Sequence, residues 1–192
     1  MLSDKQLVEL YRSGHQESLT SLIEVYRNDL YKFCRHLTLN SQDAEDLFQE
    51  VWLRIIRKLE KYDAEKPFKT WLFKVTINLY RDRYRKWRKV YTLVSTEVSY
   101  VSSHMLQVKD NNPPVEDRLL SDERYGQLEH CLRQLPKRYL TPLILYYYED
   151  YNYEGIAELM GIPMGTVKSR LNQGKKMLGK LMKEGDGYYE TS

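Results

Sequence analysis

The chain has 192 residues, 42% of them hydrophobic and 30% charged, a balance that suits one or two folded domains and excludes wholesale disorder. No apolar stretch approaches the roughly 18 residues of a membrane span, and Met1-Leu2-Ser3-Asp4-Lys5 has neither the basic nor the apolar segment of a secretory signal, so a cytoplasmic protein without membrane insertion is expected. Net charge is only +3, and Cys34 and Cys131 have no Cys or His at metal-ligand spacing, which argues against a disulfide framework or a zinc site.

Taken in chain order, a short helix is expected around Asp4 to Ser13, ending before Gly14. A longer one follows from about Glu17 to Leu37, with Leu19, Leu22, Ile23, Tyr26, Leu30 and Phe33 on one side. The clearest pattern spans about Gln42 to Lys61. Ala44, Leu47, Phe48, Val51, Trp52, Ile55, Ile56 and Leu59 alternate steps of three and one, a wide apolar stripe at helical period. Asn40 or Ser41 can cap its start, and Asp43, Glu45 and Asp46 sit where the helix dipole favours acids.

Tyr62 to Pro67 reads as a loop, because a proline disfavours helix in the residue before it. The next helix, about Phe68 to Lys86, has Phe68, Leu72, Val75 and Leu79 on its apolar side and Lys69, Lys74, Asn78, Arg81 and Arg85 on the other. Trp71, close by, reads as core. From about Val90 to Pro114 the helical period is lost, and Asp110-Asn111-Asn112-Pro113-Pro114 is a strong breaker. An interdomain linker of roughly 25 residues is expected there, since a structureless loop of that length inside one domain would be unusual. A helix over about Val115 to Gln134 is then expected, using Leu119, Leu120, Leu128 and Leu132. Another runs over about Pro136 to Glu149, opened by Pro136 and kinked or shifted by the internal Pro142. No strand pattern appears, so the fold class is all-α.

Charge is segregated. Residues 41–65 hold seven acids and four bases, residues 66–89 nine bases and one acid, and residues 163–183 six bases and no acid. Basic blocks of this kind suit polyanions, since each phosphate contact releases condensed counterions. The last block overlaps the most informative motif, Tyr153 to Leu171, which reads as a helix-turn-helix. Ala157 is small where two helices cross, Gly161 supplies the turn, and Ile156, Ile162, Val167 and Leu171 supply buried contacts. Its second helix, about Pro163 to Leu181, is placed to enter a major groove. The N–H groups near Met164 to Thr166, with the Thr166 hydroxyl, suit a phosphate. Lys168, Ser169, Asn172 and Gln173 are the expected base readers, and Arg170, Lys175 and Lys176 the expected phosphate contacts.

Together the two halves resemble the extracytoplasmic-function group of bacterial sigma factors, in the sigma-70 family. Asp43-Ala44-Glu45-Asp46-Leu47-Phe48-Gln49-Glu50-Val51-Trp52 is similar to the family's core-polymerase-binding helix, and the segment from Phe68 to Asp82 to its promoter-melting segment. Leu135-Pro136-Lys137-Arg138-Tyr139 and Gly165-Thr166-Val167-Lys168-Ser169-Arg170-Leu171 are similar to its C-terminal module. The resemblance covers about residues 15–88 and 116–182.

It implies two small helical domains joined by a flexible linker: region 2 over 1–89, linker 90–114, region 4 over 115–183 and a tail over 184–192. It also implies that Asp46, Gln49 and Glu50 face core RNA polymerase. The loop up to Lys69, with Asn78, would hold a base flipped from the single-stranded −10 element, and Lys74, Arg81, Arg85 and Lys86 would track the strand phosphates. The C-terminal helix would read the duplex −35 element. The implied setting is a stress or envelope response under an anti-sigma factor, often membrane-anchored, with no catalytic residues, metal or cofactor. Two other classes compete: a stand-alone helix-turn-helix regulator that binds an operator without polymerase, and a nucleic-acid enzyme using Asp43, Asp46 and Glu50 as metal ligands.

Overall fold

A computed structural model describes residues 2–97 and 122–186. Eight α-helices appear among these residues, and no strand: α1 (Asp4–Arg12), α2 (Glu17–Thr38), α3 (Ser41–Lys58), α4 (Phe68–Glu97), α5 (Asp122–Gln134), α6 (Lys137–Tyr147), α7 (Tyr153–Met160) and α8 (Met164–Asp186). Local chemistry sets their ends. Ser3 and Gln6 form a reciprocal capping box on α1. Asn40, rather than Ser41, caps α3 by accepting from the Asp43 N–H at 2.9 Å. α2 stops at Leu39, a non-glycine residue with φ 57° whose N–H closes on the Arg35 carbonyl. Leu39 is only 5% exposed, and that apolar burial, roughly 1.5–3 kcal/mol, offsets the strain of the left-handed conformation.

Several boundaries move. α3 ends at Lys58 and tightens into a 3₁₀ turn over Leu59–Lys61 instead of running on to Lys61. α4 passes the expected end at Lys86 and reaches Glu97, so residues 90–97, read from the sequence as linker, are helical. Those residues carry β-branched Thr92 and Val94, which lower helix propensity by only tenths of a kcal/mol each, too little to end a helix already propagating. Pro136 is the N-cap of α6 rather than its first residue, and α6 runs through Pro142. Leu119 and Leu120 lie outside the described residues.

α1 to α4 form one packed unit, with α3 against both α2 and α4. α6, α7 and α8 form a second, joined by α5 against α8. The two units meet: α4 packs on α7 and α2 on α6. This explains why α4 buries more than its expected stripe. Phe73, Thr76 and Ile77 are fully buried beside Phe68 and Leu72, and Tyr80 is 7% exposed. Phe73 stacks on Phe33 with centroids 4.1 Å apart and also meets Tyr151 of the second unit at 6.2 Å. Trp71 packs in a ring cluster with Tyr62 and Phe68, as core. Cys34 and Cys131 are both buried and are not joined to one another.

Candidate nucleic-acid interface

Three polar surfaces carry the residues singled out in the sequence. On α3, Asp46 and Gln49 are exposed and Glu50 is half-buried, one turn apart along the side away from Leu47, Val51 and Ile55. Leu53, the next residue along that side, is 56% exposed, an apolar group set among the acids. The carboxylates are already engaged. Arg83 of α4 puts Nε 2.9 Å from Glu50 Oε2 and a terminal nitrogen 3.9 Å from Asp46 Oδ2. Asp43, Asp46 and Glu50 do not converge, and among the described residues no group of three or more His, Cys, Asp or Glu could hold a metal. The metal-dependent enzyme reading therefore has no site on this helix.

On α4, Asn78, Arg81, Asp82 and Arg85 line one groove of about 410 Å³. Lys74 and Asn78 are exposed along the same helix. Arg85 donates to Asp82 Oδ1 at 3.1 Å, so one acid tempers the basic groove. The side chain of Lys86 lies outside the described residues. Lys69 stands apart from this groove. Its ammonium donates to Asp29 Oδ2 at 2.8 Å and sits 5.3 Å from the Phe73 ring centre. Burial alone would lower its pKa, but the hydrogen bond and charge of Asp29 outweigh that and leave it raised. The loop before Lys69 is pinned rather than loose. Tyr62 is buried and donates to the Lys66 carbonyl, while Arg12 donates to the Tyr62 carbonyl.

The third surface is the helix-turn-helix. Asn152 caps α7 by accepting from the Gly155 N–H at 2.8 Å. Gly161 ends it with φ 63°, where glycine avoids the steric cost of a Cβ. The Pro163 carbonyl then accepts from Thr166 and Val167 to open α8. Ile156, Val167 and Leu171 are buried as expected, but Ile162 is only half-buried, because it stands at the edge of a cleft. Lys168, Ser169, Asn172, Gln173, Lys175 and Lys176 are all exposed. At 3.6 residues per turn they share one side of α8. Two details bear on the expected DNA contacts, one at the phosphate site and one at a base reader. The Thr166 N–H is committed to Pro163, and the Ser169 hydroxyl donates to the Thr166 carbonyl at 3.0 Å. Arg170 is half-buried on a flank, away from that exposed side.

A model of sigma-70 region 2 matches residues 22–90, and a model of sigma-70 region 4 matches residues 125–178. The chain belongs to the extracytoplasmic-function group of the sigma-70 family. It is an RNA polymerase sigma factor, a transcription initiation factor and not an enzyme. It is 28% identical to the ECF RNA polymerase sigma factor SigW of Bacillus subtilis over 182 residues, 94% of this chain and 97% of that one. It is 28% identical to the RNA polymerase sigma-H factor of Pseudomonas aeruginosa over 181 residues, 93% of each.

Among solved structures, the sigma factor RpoE in complex with the anti-sigma factor NepR from Bartonella quintana matches with a TM-score of 0.66 at 23% identity, covering 85% of this chain and 96% of that one. CnrH in complex with the cytosolic domain of CnrY matches with a TM-score of 0.65 at 18% identity, covering 94% and 97%. These two share the fold.

In this sigma factor the sequence reading missed three residues. Arg83 was one base among nine in its block, and nothing local marked it as the partner of α3. Leu53 did leave a trace, since it alone breaks the stripe of α3. Gly174 lies where α8 crosses α6, and a Cβ there would stand 2.9 Å from Leu143 Cδ1. It is a packing residue beside Asn172 and Gln173.

Proposed function

We propose that residues 1–89 bind core RNA polymerase and the −10 element, that 90–114 link the modules, and that 115–183 bind the −35 element, with 184–192 as a tail. Asp46, Gln49, Glu50 and the exposed Leu53 form the polymerase-facing surface: an apolar contact ringed by groups that suit a basic partner. Asn78 captures a −10 base at the groove it shares with Arg81 and Arg85, and Lys74 and Lys86 follow the strand phosphates. Lys69, held by Asp29, sets the helix start beside the loop rather than reaching far for DNA. On α8, Lys168, Asn172 and Gln173 read base edges, Ser169 accepts, and Thr166, Arg170, Lys175 and Lys176 position the backbone.

The observation that carries this reading is the segregation of surfaces: an acidic face on α3, a basic groove on α4 and a basic side of α8, each on a rigid helix. The protein works in the cytoplasm, in a stress or envelope response, under an anti-sigma factor; among the described residues no helix is long and apolar enough to cross a membrane.

Size-exclusion chromatography with bacterial core RNA polymerase, followed by transcription from mapped promoters, tests the proposal. Co-elution is expected. Gln49→Ala with Glu50→Lys should weaken it by at least about tenfold, since reversing a charge at an interface costs more than a kcal/mol. Duplex DNA binding by the same variant should be unchanged. Operator binding without polymerase, and no co-elution, would favour the stand-alone regulator.

A further inference from the structure

Where the two units meet, a cleft of about 440 Å³ has Tyr80, Arg81, Lys137, Arg138, Met160 and Arg170 in its lining. Four residues of the lining are cations and none is an acid, the carboxylate that acts on Lys137 being Asp43 outside the lining. They come from α4, α6 and α8, so both units contribute. Outside the cleft, Lys5, Arg35, Lys69, Arg83, Arg85 and Lys180 are among the cations that have a carboxylate within 4.0 Å. Among the described residues, no ion pair is formed by Arg81, Lys137, Arg138 or Arg170.

Three of the four have a positioning contact other than an ion pair. Arg81 donates to the Met160 carbonyl at 3.3 Å, at the negative end of α7. Lys137 is half-buried with its ammonium 5.5 Å from the Tyr80 ring centre, and burial lowers its pKa. Arg138 lies over the Tyr139 ring at 4.9 Å. A concave wall with four like charges concentrates anions and repels itself when empty. A compact anion of several charges, touching both units at once, would remove that repulsion.

We infer that this cleft is a binding site for a small polyphosphate group, inorganic or carried by a nucleoside, and that its occupancy holds the two units together. Orthophosphate carries its charge on one phosphorus centre, whereas a di- or triphosphate offers anionic oxygens to more than one helix at once. The inference rests on the proposed roles in one respect. Arg81 and Arg170 belong to the two DNA-binding surfaces, so a bound polyphosphate competes with promoter DNA.

The test is calorimetric titration of the full chain at fixed ionic strength with pyrophosphate, ATP and orthophosphate, with small-angle scattering of the same samples. One pyrophosphate per chain and a smaller radius of gyration are expected, with orthophosphate at least about tenfold weaker. Lys137→Gln with Arg170→Gln should weaken pyrophosphate by about tenfold or more, as should the exposed Arg138→Gln with Arg81→Gln. Lys58→Gln with Lys61→Gln, the same loss of charge outside the cleft, should leave it unchanged.

ATP binding tenfold tighter than pyrophosphate would assign a nucleoside polyphosphate, and equal affinity a free polyphosphate. No saturable binding, or equal weakening in all three double variants, would overturn the inference. Promoter-directed transcription in that case would leave the sigma reading of the surfaces intact. Tight pyrophosphate binding without any polymerase binding would do the reverse.

Discussion

A methyl group at position 174 would stand 2.9 Å from Leu143 Cδ1 and 3.3 Å from both Leu143 Cγ and Tyr139 Cβ. Alanine gains about 1 kcal/mol in helix propensity over glycine, but overpacking a buried crossing costs roughly 1–3 kcal/mol, so packing outweighs propensity. Gly174→Ala should lower the melting temperature by about 2–4 °C per kcal/mol lost, read by circular dichroism. An unchanged melting temperature would mean that α6 and α8 separate freely at this crossing.

Titration is also decided residue by residue. Burial pushes the Cys34 thiol up to about 12 from its ordinary 9.0, and the Tyr62 hydroxyl up to about 12 from 10.0. Burial raises Tyr80 in the same direction. In each case the folded chain holds the proton more tightly than the unfolded chain does. Their contribution is complete below the unfolded values and is lost as pH rises through the folded ones. Stability should therefore fall between pH 9 and 12, and urea midpoints measured at successive pH values across that window check it. A flat profile would place these side chains in contact with water.

At the scale of elements, α4 does three things at once. One side packs on α2 and α3, another meets α7, and a narrow remainder faces solvent with Lys74, Asn78 and Arg85. A helix clamped on two sides presents Asn78 at a fixed angle, which is what a base-capturing residue requires. Asn78→Ala should lower open-complex formation by up to about tenfold, since lost edge hydrogen bonds are worth roughly 1.5 kcal/mol. Initial promoter binding should change little, because phosphate contacts dominate that step. Equal losses in permanganate footprinting and in gel-shift affinity would argue against base capture. α4 also reaches α3 through Arg83, so the proposed polymerase face and the proposed melting face share one rigid support.

At the scale of the whole molecule, the two units close on one another through a mixed seam. Arg35 pairs with Glu129 at 3.2 Å, and the His36 ring lies 4.2 Å from that of Tyr148, with Glu149 Oε1 3.7 Å from its Nδ1. Phe73 and Tyr151 supply the apolar part, and Arg81 the contact with α7. Exposed ion pairs are worth about 0.2–1 kcal/mol each, so such a seam opens at modest cost. Arg35→Glu with Arg81→Ala replaces one attraction by a repulsion and deletes another contact. The radius of gyration of that variant should rise above the roughly 16 Å of a compact chain this long. No change by small-angle scattering would place the closing energy in the aromatic contacts alone. Closure also bears on the proposed function, because Arg81 cannot grip Met160 and a DNA strand together.

The sequence alone determined the helical class, most helix starts and the helix-turn-helix, because these follow from interactions within a few residues. The period of α3, a cap at Asn40 or Ser41 and the Gly161 turn are local facts. It also placed the exposed side of α8, since an apolar stripe defines its opposite. It did not reveal that Lys69 would be held by Asp29, or Glu50 by Arg83, or that Phe73, Ile77 and Tyr80 would be covered from a second side. Nor did it reveal that Arg81, Lys137, Arg138 and Arg170 would share one cleft. Those are pairings between segments far apart in the chain, and periodicity reports which side of a helix is apolar, not which helix covers it. Only the packing of α4 between two units decided which of its polar residues stayed free.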